Sequence, residues 1–329
     1  MRRRDRAPWT ARRASRGPGC RRSRFSCRSP WEVPVRRALI LGGSGQVGEA
    51  LLARLRADGW SLVAVSRQPR TGPAGVAWVQ GELDAMPALP AGFEAGRLDA
   101  IFSAGPLDAF ARWYAGNDVR APRIVAFGST SVATKQASVE ATERDVARRL
   151  REAEATVLAR ARERGTAATL LRPTLVYGAG RDATLTRIAA LARPRGWFPL
   201  PRGARGLRQP VHVEDLADAA VACCDVPACA GQAYDLPGGE TLPYREMVVR
   251  VLASLEPPAR CIELPGPLFR LLLGGARLAG MARGLGAAVP RMREDLVFDA
   301  TPAMRDFGYA PRRFAPVAGM FAPARRPVP

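Results

Sequence analysis

The feature that most constrains this chain is the octapeptide Leu41-Gly42-Gly43-Ser44-Gly45-Gln46-Val47-Gly48. It lies between an apolar run at 37–41 and an amphipathic stretch that begins at Gln46. Four glycines in seven residues let a backbone turn sharply from strand to helix. They also let that backbone approach a ligand, and the positive end of the following helix suits a pyrophosphate. Gly43, Gly45 and Gly48 fit G-x-G-x-x-G, and Gly42, Gly45 and Gly48 fit G-x-x-G-x-x-G. A glycine turn alone is weak evidence, but this one opens a series of alternating strands and helices, which makes it a dinucleotide loop. Gly42, Gly43, Ser44, Gly45, Gln46, Val47 and Gly48 are therefore the first cofactor-binding candidates.

The rest of the pattern agrees. Apolar runs at 37–41, 61–65, 75–79, 98–103, 123–127 and 167–171 read as six strands, and 46–58, 107–115 and 142–164 read as helices between them. Gly59, Gly116 and Gly165 supply stops for these helices. The alternation predicts an α/β fold with a doubly wound parallel sheet. After Arg172-Pro173 the rhythm loosens into Pro- and Gly-rich connections with helices at 184–191, 214–224, 244–255 and 268–283. The expected organisation is a dinucleotide-binding core at 35–178 and a smaller, irregular substrate lobe at 179–329, with 207–236 returning to the core. That lobe would lie over the carboxyl ends of the strands, where open parallel sheets bind ligands.

Composition removes several alternatives. The net charge of +20 suggests a nucleic-acid partner until it is located: residues 1–37 hold 13 arginines against Asp5 and Glu32, and the other 292 residues carry only +9. Residues 1–34 read as a disordered basic tail, and nucleic acid is not an expected partner. A single histidine, His212, excludes a multi-histidine metal site, and no metal is expected. The six cysteines form no C-x-x-C pair and read as reduced thiols of a cytoplasmic protein. The segment 268–289 is interrupted by Arg270, Arg277 and Arg283, which argues against a transmembrane span.

At the end of the second strand, where NAD sites place a carboxylate on the adenosine ribose, stand Ser66 and Arg67. A guanidinium there can pair with a 2'-phosphate, so NADP(H) is the expected cofactor and NAD(H) the alternative.

Taken in order, these segments resemble the extended short-chain dehydrogenase/reductase superfamily, specifically its NAD-dependent epimerase/dehydratase family, over about residues 37–311. The glycine loop is similar to the family's T-G-x-x-G-x-x-G, with Leu41 in place of threonine. Gly81-Glu82-Leu83 resembles its G-D-L, and Ser103-Ala104-Gly105 the small-residue turn beneath the cofactor. Phe127-Gly128-Ser129-Thr130-Ser131 resembles the strand end that delivers the active-site hydroxyl, with Ser129 at that position. Leu171-Arg172-Pro173-Thr174-Leu175-Val176-Tyr177-Gly178 is similar to R-P-x-x-V-Y-G, and Arg208-Gln209-Pro210-Val211-His212-Val213-Glu214-Asp215 to R-x-x-I-H-V-x-D. The resemblance implies a Rossmann-type fold. It also implies cofactor contacts from Glu82, Leu83, Ser103, Ala104, Gly105 and Pro173, a substrate-phosphate contact from Arg208, and an architectural His212.

One departure matters. The family's Tyr-x-x-x-Lys pair is missing: no tyrosine lies between Ala115 and Val176, and the only lysine, Lys135, comes too early. The family's usual spacing puts Glu154 and Leu158 near the two positions. Ser129, Thr130, Tyr177 or Glu154 are the substitutes that remain. Two functions stay open. One is an NADP-dependent oxidoreductase or epimerase acting on a small molecule, a nucleotide sugar or another carbonyl/hydroxyl substrate. The other is a non-catalytic NADPH-binding sensor or assembly protein. A homodimer is left open as well.

Overall fold

The computed structural model describes residues 35–83, 86, 89–93, 97–278 and 291–322. The tail at 1–34 and the far part of the 268–283 helix lie outside the described residues, as does all of 279–290.

Seven strands, all parallel, make the central sheet: β1 (Arg37–Leu41), β2 (Ser61–Ser66), β3 (Val76–Gln80), β4 (Ala100–Ser103), β5 (Arg123–Phe127), β6 (Ala167–Pro173) and β7 (Ala233–Leu236). Their spatial order is β7-β6-β5-β4-β1-β2-β3. The chain starts at β1, winds outward through β2 and β3, then returns to β4 on the other side. The order therefore reverses between β1 and β4, and a crevice opens at their carboxyl ends.

Alternation along each strand feeds two cores. Ala38, Ile40, Leu62 and Ala64 face the helices α1 (Gln46–Ala57) and α5 (Val213–Cys224). Leu39, Leu41, Val63 and Val65 face α2 (Leu107–Gly116) and α3 (Ala141–Glu163). Because both faces are covered, the strands read as nearly continuous apolar runs, which is why they were legible.

The sheet has one strand more than the six expected. β7 is four residues, Ala-Tyr-Asp-Leu, on the sheet edge, and only Tyr234 and Leu236 are buried. So short a run carries too little apolar signal to stand out from a loop. β2 runs on to Ser66 and β6 to Pro173, while β4 begins at Ala100, just after Asp99, whose carboxylate accepts from Arg37 N at 2.7 Å.

Beyond β6, α4 (Leu185–Ala192) and α6 (Tyr244–Ala253) pack with Phe198, Leu200, Phe314 and Phe321 into a third core. A parallel pair, Trp197–Pro201 with Arg260–Leu264, lies beside it and was not expected. Among the described residues no helix is long and apolar enough to cross a membrane.

Candidate functional site

The glycine loop follows β1 into the crevice. Gly42 has φ +76°, and a Cβ there would come within 2.5 Å of Gly105 N. A Cβ on Gly48 would meet the Gly42 carbonyl oxygen at 2.2 Å. These two glycines thus close the turn on itself and on the β4 loop, Ala104-Gly105. Gly45 differs: it caps α1 with ordinary extended angles, and a Cβ there would meet only the Gly42 oxygen at 3.2 Å and the Ala104 oxygen at 3.8 Å. Glu49 N bonds to the Gly45 carbonyl at 2.9 Å, so the amides of Gln46, Val47 and Gly48 occupy the first turn, where a helix has no acceptors of its own. Ser103 Oγ and Gln46 Oε1 are buried with no hydrogen-bond partner. A tight turn, free first-turn amides and two orphaned polar atoms fit a dinucleotide.

Ser66 is buried at the end of β2, its Oγ accepting from Gln68 N at 3.3 Å, and Arg67 beside it is exposed. Arg70 lies over the Trp78 ring and bonds Glu49 at 3.1 Å. Arg181 bonds the same carboxylate at 2.9 Å and donates to the Ser44 carbonyl at 2.7 Å. The sequence offered no reason to single out either arginine. Just beyond β3, Glu82 is exposed and Leu83 packs against the second core.

A cavity of about 460 Å³ adjoins the carboxyl ends of β5 and β6. Ser129, Thr130, Lys135, Glu143, Arg208 and Arg291 are among its lining residues. Ser129 Oγ accepts from Ser131 N at 3.1 Å, the start of the one-turn helix Ser131–Thr134. Thr130 spends its hydroxyl proton on the Pro173 carbonyl at 3.2 Å, so Pro173 serves here as an acceptor. Glu143, on the first turn of α3, accepts from Ser138 Oγ at 2.7 Å and pairs with Arg291. Burial pushes its carboxyl up, but the Ser138 bond and the Arg291 and Lys135 charges outweigh that, holding it below the usual carboxylate range.

The other candidates lie elsewhere. Glu154 is buried, and Arg172 holds both its oxygens, with Nε at 2.7 Å and Nη2 at 2.5 Å. Tyr177 is buried edge-on between His212 and Phe314, where desolvation raises its pKa. Arg208 lines the cavity, yet its guanidinium donates to the carbonyls of Leu207 and Glu294 at 2.7 Å each and to that of Arg291. It therefore holds the 291–294 turn in place. His212 caps α5, with Nδ1 accepting from Glu214 N at 3.3 Å. Lys135, Glu143 and Arg291 were missed because they come from three separate segments and match no motif.

Comparison with known proteins now decides the lineage. The model of the NAD dependent epimerase/dehydratase family matches residues 38–235. The chain belongs to this family. A 2-alkyl-3-oxoalkanoate reductase of Stenotrophomonas maltophilia is 27% identical to it, covering 84% of this chain and 95% of that protein. A UDP-glucose 4-epimerase of Vibrio cholerae is 29% identical over 49% of this chain and 47% of its own length. Among solved structures, the UDP-N-acetylglucosamine 4-epimerase of Bacillus cereus superposes with a TM-score of 0.63 at 11% identity, covering 89% of this chain and 99% of that one. MoeE5, solved with UDP-glucuronic acid and NAD, gives 0.61 at 18% identity over 84% and 94%. At these identities the structural likeness establishes the Rossmann-type fold.

Proposed function

We propose that this family member is an NADP(H)-dependent oxidoreductase acting on a 3-oxo or 3-hydroxy acid, with Ser129 holding the substrate oxygen. The observation that carries this reading is the cavity at the end of β5. It joins a serine hydroxyl to the cations Lys135 and Arg291, while Arg208 is engaged by backbone carbonyls. A guanidinium so engaged is poorly placed to grip the pyrophosphate of a nucleotide sugar. The similarity to a 2-alkyl-3-oxoalkanoate reductase over nearly its whole length supports the same choice.

When bound, a reduced nicotinamide supplies a hydride to a carbonyl carbon. The chain's own contribution is to hold and polarise that carbonyl. Ser129 Oγ already accepts the Ser131 amide, so its proton remains to be donated to the substrate oxygen. Gly42, Gly45 and Gly48 with the first-turn amides would hold the pyrophosphate, and Ser66, Arg67 and Arg70 would meet a 2'-phosphate.

The test is NADPH oxidation with a panel of 2-alkyl-3-oxoalkanoates, run beside an assay of UDP-glucose epimerisation. Consumption of NADPH by the oxo acids is expected, and Ser129→Ala should lower kcat by ~100-fold or more with NADPH affinity unchanged. Epimerisation of UDP-glucose would refute the substrate assignment. Tight NADPH binding with no turnover anywhere would favour the sensor reading, for which the absent Tyr-x-x-x-Lys pair speaks.

A further inference from the structure

We propose that the Lys135 ammonium is the acid that protonates the substrate oxygen, a deeper reading of the same cavity that rests on the oxidoreductase assignment. Reduction of a ketone requires a proton as well as a hydride, and most hydroxyl or carboxyl groups near the cavity are unsuited to supply one. Ser129 has too high a pKa to act alone as an acid at neutral pH. Thr130 gives its proton to Pro173 O, and Tyr177 packs between His212 and Phe314 in the third core. Glu154 is locked to Arg172. Glu143 is held ionised and has no proton to give. Tyr244 is buried under the Arg208 guanidinium, 5.4 Å from its ring centroid, and burial raises its pKa.

Lys135 is the one lysine among 50 basic residues. The chemistry separates it from the arginines around it: an ammonium can give up a proton and take it back, whereas a delocalised guanidinium holds its protons and does not serve as a proton donor. Its position is fixed from below. The Lys135 amide donates to the Ser131 carbonyl at 3.2 Å, closing the short helix that starts next to Ser129, so Lys135 and Ser129 line the same wall. The charges that face it come from three other segments: Glu143 on α3, Arg208 before the His212 strand, and Arg291 with Glu294 on the turn that Arg208 holds. Glu143 supplies the counter-charge, steadied by Ser138 and Arg291.

In the step itself a Lys135 Nζ–H bond breaks as the substrate O–H bond forms, and the electron pair of the broken bond stays on nitrogen. The resulting neutral amine takes a proton from water. The hydride equivalent for the carbonyl carbon comes from the reduced dinucleotide, so atoms and electrons balance.

Two measurements on the full chain test the assignment. Binding of NADP+ with a 2-alkyl-3-hydroxyalkanoate should suppress reductive methylation of Lys135 by formaldehyde and cyanoborohydride, followed by mass spectrometry on its peptide; unchanged labelling would overturn the proposal whatever the turnover. In the second, Lys135→Ala should lower kcat for 2-alkyl-3-oxoalkanoate reduction by ~100-fold or more, with the NADPH dissociation constant unchanged by calorimetry. Added methylamine should restore turnover to that variant, and Lys135→Arg should remain inactive. A wild type that turns over while Lys135→Arg keeps pace removes the acid role alone, since charge then suffices. A wild type inert toward every 3-oxo acid removes the oxidoreductase reading and Lys135's role with it.

Discussion

At one end of the crevice, eight consecutive residues, Leu41 to Gly48, make a turn whose shape is almost entirely backbone. At the other end, the cavity wall draws Ser129 from the loop after β5, Glu143 from α3, Arg208 from the approach to His212, and Arg291 from a turn far along the chain. The first kind of site is written in local sequence because glycines at fixed spacing are its mechanism. The second exists only after folding, through side chains as far apart in sequence as Ser129 and Arg291. The two ends should therefore fail in different ways when altered.

The largest effect is expected at Gly48. A Cβ there would stand 2.2 Å from the Gly42 oxygen, with backbone on both sides and nothing flexible to give way. Gly48→Val should lose NADPH binding together with ~3 kcal/mol or more of stability, read by calorimetry and urea unfolding. Gly45→Val separates the two losses. Its angles suit any residue and its nearest neighbour is at 3.2 Å, so the fold should survive while the added methyls stand in the path of the pyrophosphate. NADPH binding retained by Gly45→Val would make the loop a purely structural turn and break the comparison.

At the cavity end the same logic applies to Arg208. Its guanidinium is buried and tied to three carbonyls, so Arg208→Met should cost ~2 to 3 kcal/mol in urea unfolding by leaving buried acceptors unmet. NADPH affinity should not change. An unchanged unfolding midpoint with impaired substrate binding would instead make Arg208 the phosphate contact that the family resemblance implied.

These contrasts also explain what the sequence could carry. Six strands, the loop and the doubly wound order were legible because buried parallel strands are continuous apolar runs broken by glycine. β7 was not, since Tyr234 and Leu236 alone mark it. In the site, Ser129 was legible as a strand-end hydroxyl, whereas counting residues forward from it led to Glu154, which the fold gives to Arg172. Gly128 makes room for that ion pair, since a Cβ there would already be 3.3 Å from Glu154 Oε1. Spacing measures distance along a helix, and the loop before α3 determines which turn reaches the cavity. Glu143, about three turns earlier on the same helix, is the α3 carboxylate that does.

A smaller effect should mark the cofactor's ribose. If Arg67 and Arg70 each meet a 2'-phosphate, as proposed, each alanine variant should weaken NADPH by about tenfold while leaving NADH unchanged. Arg70→Ala also frees Glu49, which Arg181 alone would then hold. Equal losses for NADPH and NADH would place both arginines on the pyrophosphate or the fold, and would make NAD(H) as good a cofactor.

The smallest effect sits at the seam between the two kinds of construction. Gly178, at φ +115°, lies where a Cβ would strike His212 Nε2 at 2.5 Å, so a backbone close approach packs a titratable ring. Burial lowers the His212 pKa, and the Arg312 charge adds to the effect. The folded protein therefore keeps the ring neutral, with Nδ1 free to accept the Glu214 amide, whereas the unfolded chain takes up a proton near pH ~6.5. A group depressed in this way contributes its stability fully above ~6.5 and loses it as pH falls toward the lowered folded value. His212→Asn keeps an acceptor at the helix cap but cannot be protonated. Its melting temperature should start lower at pH 7.5, because the smaller side chain leaves space beside Tyr177. Between pH 7.5 and 5.5 it should then fall less than that of the wild type. Parallel declines would mean that the ring is not kept neutral by its surroundings, and that packing against Gly178 is its whole contribution.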